Sequence, residues 1–252
     1  MMYRLRFETA AQVFDAPDCQ IVLPLAEAAR HPELKNVIPE IPAVLWEHSM
    51  DKTRTMLSSF SEAVCENIGA VHLCRELGLV MHGGMYLNVL NTAAAEQYAA
   101  LGLSDLTLSF EMPFPKMRAF LAARAKKKNA ADSGDSAALP VGALVYGYLP
   151  LMKFRACPAM GPKGCSGCTR DKYLTDRKNE KFRILCRGSE YSELLNCVPL
   201  YAADKSVPQL DFQTLYFTTE SREECLRIFE MVKNKETPSF RRTAGLYNRE
   251  LL

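Results

Sequence analysis

Short apolar runs alternate with helix-like segments over the first half of the chain. Five runs have the character of buried strands: 20–25, 43–46, 79–82, 106–109 and 141–146. Four segments have helical spacing or helix-prone composition: 26–30, 51–67, 92–101 and 113–128. Gly102 follows the third of these, and glycine is the residue that most often ends a helix. The alternation predicts a parallel sheet with helical crossovers, in an α/β barrel or an open α/β fold.

The pattern changes in the second half. Segments 181–186 and 213–218 alternate polar and apolar residues, which is typical of antiparallel or edge strands. A helix over 221–233 is predicted, because Ser221 and Glu224 occupy the two positions of a capping box.

Three regions follow from these patterns. Residues 1–125 are predicted to form a partial α/β barrel-like segment. Residues 126–139 are polar and rich in small residues, and they are predicted to form a flexible loop. Residues 140–252 are predicted to hold the last barrel strand, a cysteine-rich loop and a small α+β C-terminal part. The fold class is therefore α/β, with a partial TIM-barrel-like parallel core.

Apart from the cysteines, the composition of the chain places few restrictions on its function. The chain has 252 residues, 48% of them hydrophobic, and a net charge of +2, which neither demands nor excludes a nucleic-acid partner. No apolar run reaches membrane-spanning length and the N-terminus lacks a secretory signal, so a cytoplasmic protein without a membrane partner is expected. Nine cysteines in a reducing compartment favour metal or redox chemistry over disulfides.

Four cysteines form a candidate metal site. Cys157, Cys165, Cys168 and Cys186 have the spacing C-x7-C-x2-C-x17-C, and the glycine-rich loop around the C-x2-C step allows two thiolates to face one metal. Structural zinc sites often carry two C-x2-C pairs, whereas a [4Fe–4S] cluster tolerates irregular spacing. The residues alone leave zinc and iron–sulfur both open, with Cys197 as a possible replacement for Cys186.

Three polar residues are candidate catalytic positions. His82 ends a predicted strand and is followed by two glycines, and barrel enzymes carry catalytic residues at such strand ends. A structural histidine that is hydrogen-bonded to a backbone carbonyl fits the pattern equally well. Asn88 and Glu111 also stand at or after strand ends, where they would bind a substrate or cap the following helix. No H-E-x-x-H or G-x-S-x-G motif is present to indicate a protease.

The order of several motifs resembles the peptidase U32 family over residues 65 to 250. The segments that carry the likeness are 87–92 (LNVLNT), 106–111 (LTLSFE), 146–152 (YGYLPLM), the cysteine pattern from Cys157, 173–178 (YLTDRK), 182–187 (FRILCR), 192–196 (SELLN), 198–200 (VPL) and 242–247 (RTAGLY). Ala244 interrupts the last motif, and residues 146–150 replace the family's collagenase-type His-Gly-Ala-Leu-Cys run.

The resemblance implies a TIM-barrel-like domain with the cysteines near its C-terminal face. It favours a [4Fe–4S] cluster on Cys157, Cys165, Cys168 and Cys186 over zinc. It also implies oxygen-independent hydroxylation of a transfer or ribosomal RNA base, or of a small aromatic substrate. Other relatives are described as collagenase-like peptidases, so cleavage of denatured or collagen-like protein is the alternative.

The resemblance also raises the question of a missing segment. A family barrel needs more strands than the patterns supply before Leu79, so an N-terminal barrel half is expected to be missing. In that case this chain would be a non-catalytic half of a longer or split protein.

Overall fold

A computed structural model describes residues 1–130, 139–161, 164–166, 168, 171–188, 190–205 and 207–248. In this part of the chain the strands are β1 (Met2–Arg6), β2 (Cys19–Pro24), β3 (Val37–Glu40), β4 (Glu62–Cys65), β5 (Val80–Gly83), β6 (Leu103–Thr107), β7 (Val141–Gly147), β8 (Pro150–Phe154), β9 (Lys172–Thr175), β10 (Lys181–Arg187), β11 (Tyr191–Leu195), β12 (Leu200–Tyr201) and β13 (Phe212–Tyr216). The α-helices are α1 (Leu25–Ala28), α2 (Met50–Leu57), α3 (Ile68–Glu76), α4 (Thr92–Ala100), α5 (Phe114–Ala130) and α6 (Arg222–Lys233).

Eight parallel strands close into a barrel. Strands β1 to β7 pair in chain order, and β13 completes the ring by pairing with β7 on one side and β1 on the other. The helices flank this ring, as in a TIM barrel. The predicted TIM-barrel-like α/β core is confirmed, and its ring is closed rather than partial.

The sequence analysis expected an N-terminal barrel half to be missing, but the first four strands of the barrel are present in this chain. The four strands lie between residues 2 and 65; β2 corresponds to the predicted run 20–25, whereas the hydrophobic patterns did not show β1, β3 and β4. They were missed because their inward positions carry charge: Arg4 and Arg6 alternate with Leu5 along β1 and are buried inside the barrel.

Two apolar layers lie between the barrel and its helices. One contains Leu57, Leu73, Leu106 and Met117, and the other packs Leu5, Phe7, Phe217 and Phe229 beneath α6. The predicted capping box of α6 is confirmed. The Glu224 amide donates to Ser221 Oγ at 3.2 Å, and the Ser221 amide donates to Glu224 Oε2 at 2.8 Å.

A four-stranded antiparallel sheet, in the order β8-β11-β10-β9, covers the carboxyl end of the barrel. Its strand β8 begins three residues after β7 ends. Residues that follow barrel strands contact the sheet: Glu8 binds Arg187, and Tyr86 binds Glu193. This sheet therefore lies over the mouth where TIM-barrel active sites occur.

Several predicted elements need correction. Segment 43–46 is not a strand, and 51–67 divides into α2 and the buried strand β4. Segment 213–218 belongs to β13, a parallel barrel strand, because β1 and β7 enclose it on both edges.

The predicted loop 126–139 is partly helical, since α5 continues to Ala130; residues 131–138 lie outside the described part. Among the described residues, no helix has both the length and the apolar character needed to cross a bilayer.

Candidate active site

The barrel interior holds two charged layers and a small apolar cluster of Val22, Ile38 and Val64. The first layer lies toward the amino ends of the strands, because Glu62, which begins β4, belongs to it. His82 Nδ1 lies 2.7 Å from Asp105 Oδ2, and His82 Nε2 lies 2.9 Å from Glu62 Oε2.

Arg4 joins the same layer. Its Nη2 donates to Asp105 Oδ2 at 2.7 Å, and the pair is almost completely buried. Burial raises the pKa of Asp105, but hydrogen bonds and charge from His82 and Arg4 outweigh it, so the pKa lies below its ordinary value. His82 is therefore part of an ionic network inside the barrel, at the end that TIM barrels use for stability rather than catalysis.

The second charged layer lies at the mouth. Arg6 Nη2 donates to Glu40 Oε1 at 2.7 Å, and Arg6 Nε lies within 3.2 Å of both Glu40 oxygens. Glu8 bridges Arg6 to Arg187 of the covering sheet. Burial disfavours the charge on Arg6, but the carboxylates of Glu40 and Glu8 outweigh it and raise the pKa of the guanidinium.

Glu193 of β11 is the fully buried centre of this layer. It accepts hydrogen bonds from Tyr86 Oη at 2.7 Å and from Arg187 Nε at 2.8 Å, and Lys153 Nζ lies 3.6 Å away. Burial raises the pKa of Glu193, but the Arg187 charge and the other donors outweigh it and lower the pKa overall. Arg187 Nη2 also donates to Tyr216 Oη at 2.8 Å, which joins the sheet to β13.

Lys153 of β8 brings a partly desolvated ammonium to the mouth. Its Nζ lies 3.3 Å from the centre of the Tyr86 ring, a cation–π contact. Burial lowers the pKa of Lys153, and the nearby carboxylates of Glu193 and Glu66 oppose this effect.

Glu66 follows β4 and faces a cavity of about 20 Å³ at the mouth. Its Oε2 accepts a hydrogen bond from the Tyr86 amide at 2.8 Å. Burial and the charge of Glu40 raise the pKa of Glu66 to about 8. A buried carboxyl with a pKa near neutrality, in a cleft, is typical of a functional site.

Asn88 and Glu111 lie outside this cavity lining, in the loops after β5 and β6. Asn88 has a left-handed backbone (φ 53°), and its Oδ1 accepts a hydrogen bond from Ser109 Oγ at 2.6 Å. The Glu111 amide donates to the same Ser109 oxygen at 3.2 Å. Both side chains are exposed on the carboxyl side of the barrel. Asn88 is the C-cap of the short 3-10 helix Met85–Leu87, and Asn91 is the N-cap of α4.

The four candidate metal ligands lie in and beside the covering sheet. Cys157, Cys165 and Cys168 occupy the connection between β8 and β9, and Cys186 is on β10; none of the four forms a disulfide bond. The Cys168 amide donates to the Cys165 carbonyl at 3.2 Å. Cys186 Sγ donates to the Gly188 carbonyl at 3.1 Å.

The donor chemistry of these thiols fits a thiophilic metal or an iron–sulfur cluster. In the part of the chain that the structure describes, no group of three or more metal-binding side chains is assembled. The ligand set therefore stays a prediction. Cys197, the alternative ligand, interacts with Glu180 and Arg241, while Cys65, Cys74 and Cys225 are completely buried.

The mouth residues were missed by the sequence analysis. They are Arg6, Glu40, Glu66, Lys153, Arg187 and Glu193. A signal was present in β1, where two arginines flank an apolar residue, and in β11, where a glutamate precedes two leucines.

Comparisons with protein-family models, curated proteins and solved structures found no match. The resemblance to the peptidase U32 family therefore stays a prediction.

Proposed function

We propose that this chain is an iron–sulfur protein of the peptidase U32 type that supports oxygen-independent hydroxylation of an RNA base or a small aromatic substrate. The cluster would be held by Cys157, Cys165, Cys168 and Cys186. The observation that carries the proposal is the position of Cys186 on β10, immediately before Arg187, whose side chain enters the barrel mouth.

This adjacency connects the thiols to the mouth. Successive residues of a strand point to opposite faces of a sheet, so Cys186 and Arg187 lie on the two faces of one strand. Arg187 binds Glu8 and Glu193 in the mouth. A bound iron–sulfur cluster would supply one-electron redox chemistry on the outer face of that strand.

The side chains of the mouth have separate roles in this proposal. Lys153 and Arg187 stabilise negative charge that develops on a substrate oxygen, because they are cations held in a partly desolvated site. The covering sheet limits the entry of water. Glu66 is the group placed to hold or move a proton.

The surface of the small sheet supports RNA as one substrate class. The hairpin of β9 and β10 exposes Arg177, Lys178 and Lys181, and the exposed ring of Tyr173 on β9 contacts the guanidinium of Arg183. Cations there would contact phosphates, and an aromatic face suits an unstacked base.

The peptidase alternative finds less support. Each of the four histidines contacts a carboxylate: His31 with Glu33, His48 with Glu190, His72 with Glu76, and His82 with Asp105 and Glu62. These are the ion pairs of structural or surface histidines. The non-catalytic half also finds less support, because the chain closes a barrel by itself.

The test compares hydroxylated nucleosides and hydroxylated small aromatics, by mass spectrometry, in anaerobic cells with and without the gene. Wild-type protein should restore a product that is missing from the deletion strain. The Cys186→Ser variant should not restore the product. The Cys19→Ser variant should restore it, because Cys19 is remote in sequence from the proposed cluster ligands. An unchanged product profile, together with gelatin cleavage by the purified protein, would replace hydroxylation with the peptidase function.

A further inference from the structure

The covering sheet has two faces with different surroundings. Glu193 and Arg187 point to the barrel mouth, so the alternate residues of their strands, Ser192 and Cys186, lie on the outer face. The other residues of β10 and β11 on the outer face are apolar: Phe182, Ile184 and Leu194. Ser192 is therefore a hydroxyl-bearing residue among apolar neighbours.

Ser192 and Cys186 are direct cross-strand neighbours. The antiparallel register of β10 and β11 pairs Cys186 with Ser192, and β8 places Phe154 on the other side of Ser192. Side chains of directly opposite residues lie on the same face of a sheet, with Cβ atoms about 4.5–5.5 Å apart. At this spacing, a serine hydroxyl can form a hydrogen bond with the sulfur of the opposite cysteine.

The Ser192 hydroxyl is buried without a partner. Ser192 is 2% exposed, and its Oγ makes no hydrogen bond to any residue that the structure describes. A buried hydroxyl without a partner is uncommon, and it destabilises the fold because it has given up its hydrogen bonds to water. An alanine at this position would avoid that cost, so the fold alone does not explain the serine.

The hydrogen bonding of Cys186 must change when this cysteine binds a metal. Its Sγ donates to the Gly188 carbonyl at 3.1 Å, as a protonated thiol does. A metal-bound cysteine is a thiolate, which has no proton to donate and accepts hydrogen bonds instead. The Gly188 carbonyl cannot stabilise a thiolate, because the carbonyl oxygen is itself an acceptor.

The hydroxyl of Ser192 is the donor placed for this thiolate. The cations Arg187 and Lys153 contact Glu193 on the other face of the sheet, toward the barrel mouth. The phenylalanine on the far side of Ser192 has no hydrogen-bonding side chain. Among the side chains paired across the strands at this point, Ser192 therefore offers Cys186 a hydrogen-bond donor.

We propose that the Ser192 hydroxyl donates a hydrogen bond to the Cys186 sulfur when this cysteine is a metal-bound thiolate, so that Ser192 is a positioning residue of the cysteine site. The inference rests on the ligand set of the proposed function, but it does not depend on the reaction. Residues that hold metal ligands by hydrogen bonds typically contribute about 10–100-fold to metal affinity.

The experiment titrates the reduced full chain, without oxygen, with cobalt(II), whose thiolate charge-transfer absorption reports bound sulfur. Ser192→Ala should bind cobalt about 10–100-fold more weakly than the wild type. Its charge-transfer band should move to lower energy, because a thiolate without this hydrogen bond gives up an electron more easily. Ser192→Thr keeps the hydroxyl and should retain the wild-type affinity and band. Ser58→Ala removes an exposed hydroxyl of α2 and its neighbouring turn, and should also match the wild type.

Unfolding of the metal-free proteins in urea separates this role from a structural one. Without metal the Ser192 hydroxyl has no partner, so Ser192→Ala should unfold at the same urea concentration as the wild type or at a higher one. A lower midpoint would show a structural role and overturn the inference.

The cobalt titration distinguishes this inference from the proposed function. Equal affinity and band position in the wild type and Ser192→Ala would overturn the inference and leave the hydroxylation proposal standing. Absence of thiolate bands in the wild type would overturn both, because the cysteine site would be lost. The expected Ser192 effects in a protein that yields no hydroxylated product would support the inference and refute the reaction alone.

Discussion

Replacing Glu193 with glutamine should destabilise the fold more than any single hydrogen bond can explain. Glu193 is completely buried and neutralises Arg187, whose side chain is 12% exposed. Glutamine would retain the shape but leave Arg187 with Glu8 as its carboxylate partner, and Arg187 shares Glu8 with Arg6. Removing one partner of a buried ion pair costs about 3–5 kcal/mol. The loss of the Glu193–Lys153 contact adds little to this cost in stability, because the Lys153 side chain is 31% exposed and can be solvated.

Two matched variants separate charge from hydrogen bonding. Tyr86→Phe removes the hydroxyl that donates to Glu193 at 2.7 Å, and should cost about 1.5–3 kcal/mol. Glu190→Gln removes a carboxylate in a neighbouring exposed pair with His48 and should change stability by less than about 0.5 kcal/mol. The free energy of unfolding is measured by urea denaturation at neutral pH, with two spectroscopic probes that must coincide.

A double variant completes this test. Glu193→Gln combined with Arg187→Met removes both charges, so it should lose less stability than the sum of the two single changes. If Glu193→Gln stays within about 1 kcal/mol of Glu190→Gln, the buried pair does not hold the covering sheet to the mouth, and the reasoning is wrong.

Three further predictions concern stability. Ser221→Ala should lower the free energy of unfolding by about 1 kcal/mol in urea denaturation, because the capping box of α6 is lost. Glu66 has its pKa raised from 4.5 to about 8, so its stabilising effect is complete below pH 4.5 and disappears as the pH rises through 8. At about 1.4 kcal/mol per pKa unit, the wild type should lose about 5 kcal/mol over that interval relative to Glu66→Gln, in unfolding measured across pH. Asp105→Asn should cost about 3–5 kcal/mol at neutral pH, because Arg4 and His82 lose their shared carboxylate. The pKa of Asp105 is lowered from 3.8, so this advantage of the wild type should fade as the pH falls below 3.8, in acid-unfolding curves of both proteins.

The fold class could be predicted because short strand-like runs alternate with helical segments, and because β7 is apolar on both faces. β7 is buried at every position, and its sequence is a continuous apolar run. β1 and β4 escaped prediction because inward residues at the two ends of a barrel can be charged when they neutralise one another. Arg4, Arg6 and Glu62 are such residues. An analysis of hydrophobicity alone assigns each of them to the protein surface.

The site was less predictable than the fold. His82 was recognised as a strand residue followed by glycines, but the end of the barrel it occupies depends on its partners Asp105 and Glu62, which come from other strands. Arg187 and Glu193 gain their importance from a sheet that folds back over the mouth. The spacing of residues along the sequence does not indicate the contact between this sheet and the mouth. The contact joins residues more than one hundred positions apart, such as Tyr86 and Glu193.

The central proposal depends on what the four cysteines bind. Iron, acid-labile sulfide and zinc are therefore measured in protein purified without oxygen, for the wild type and for alanine variants of Cys157, Cys165, Cys168 and Cys186, with Cys197→Ala as the matched control. The proposal predicts about four irons and four sulfides per chain, the content of a [4Fe–4S] cluster, lost in each of the four variants and kept in the control. One zinc per chain and no iron would contradict it.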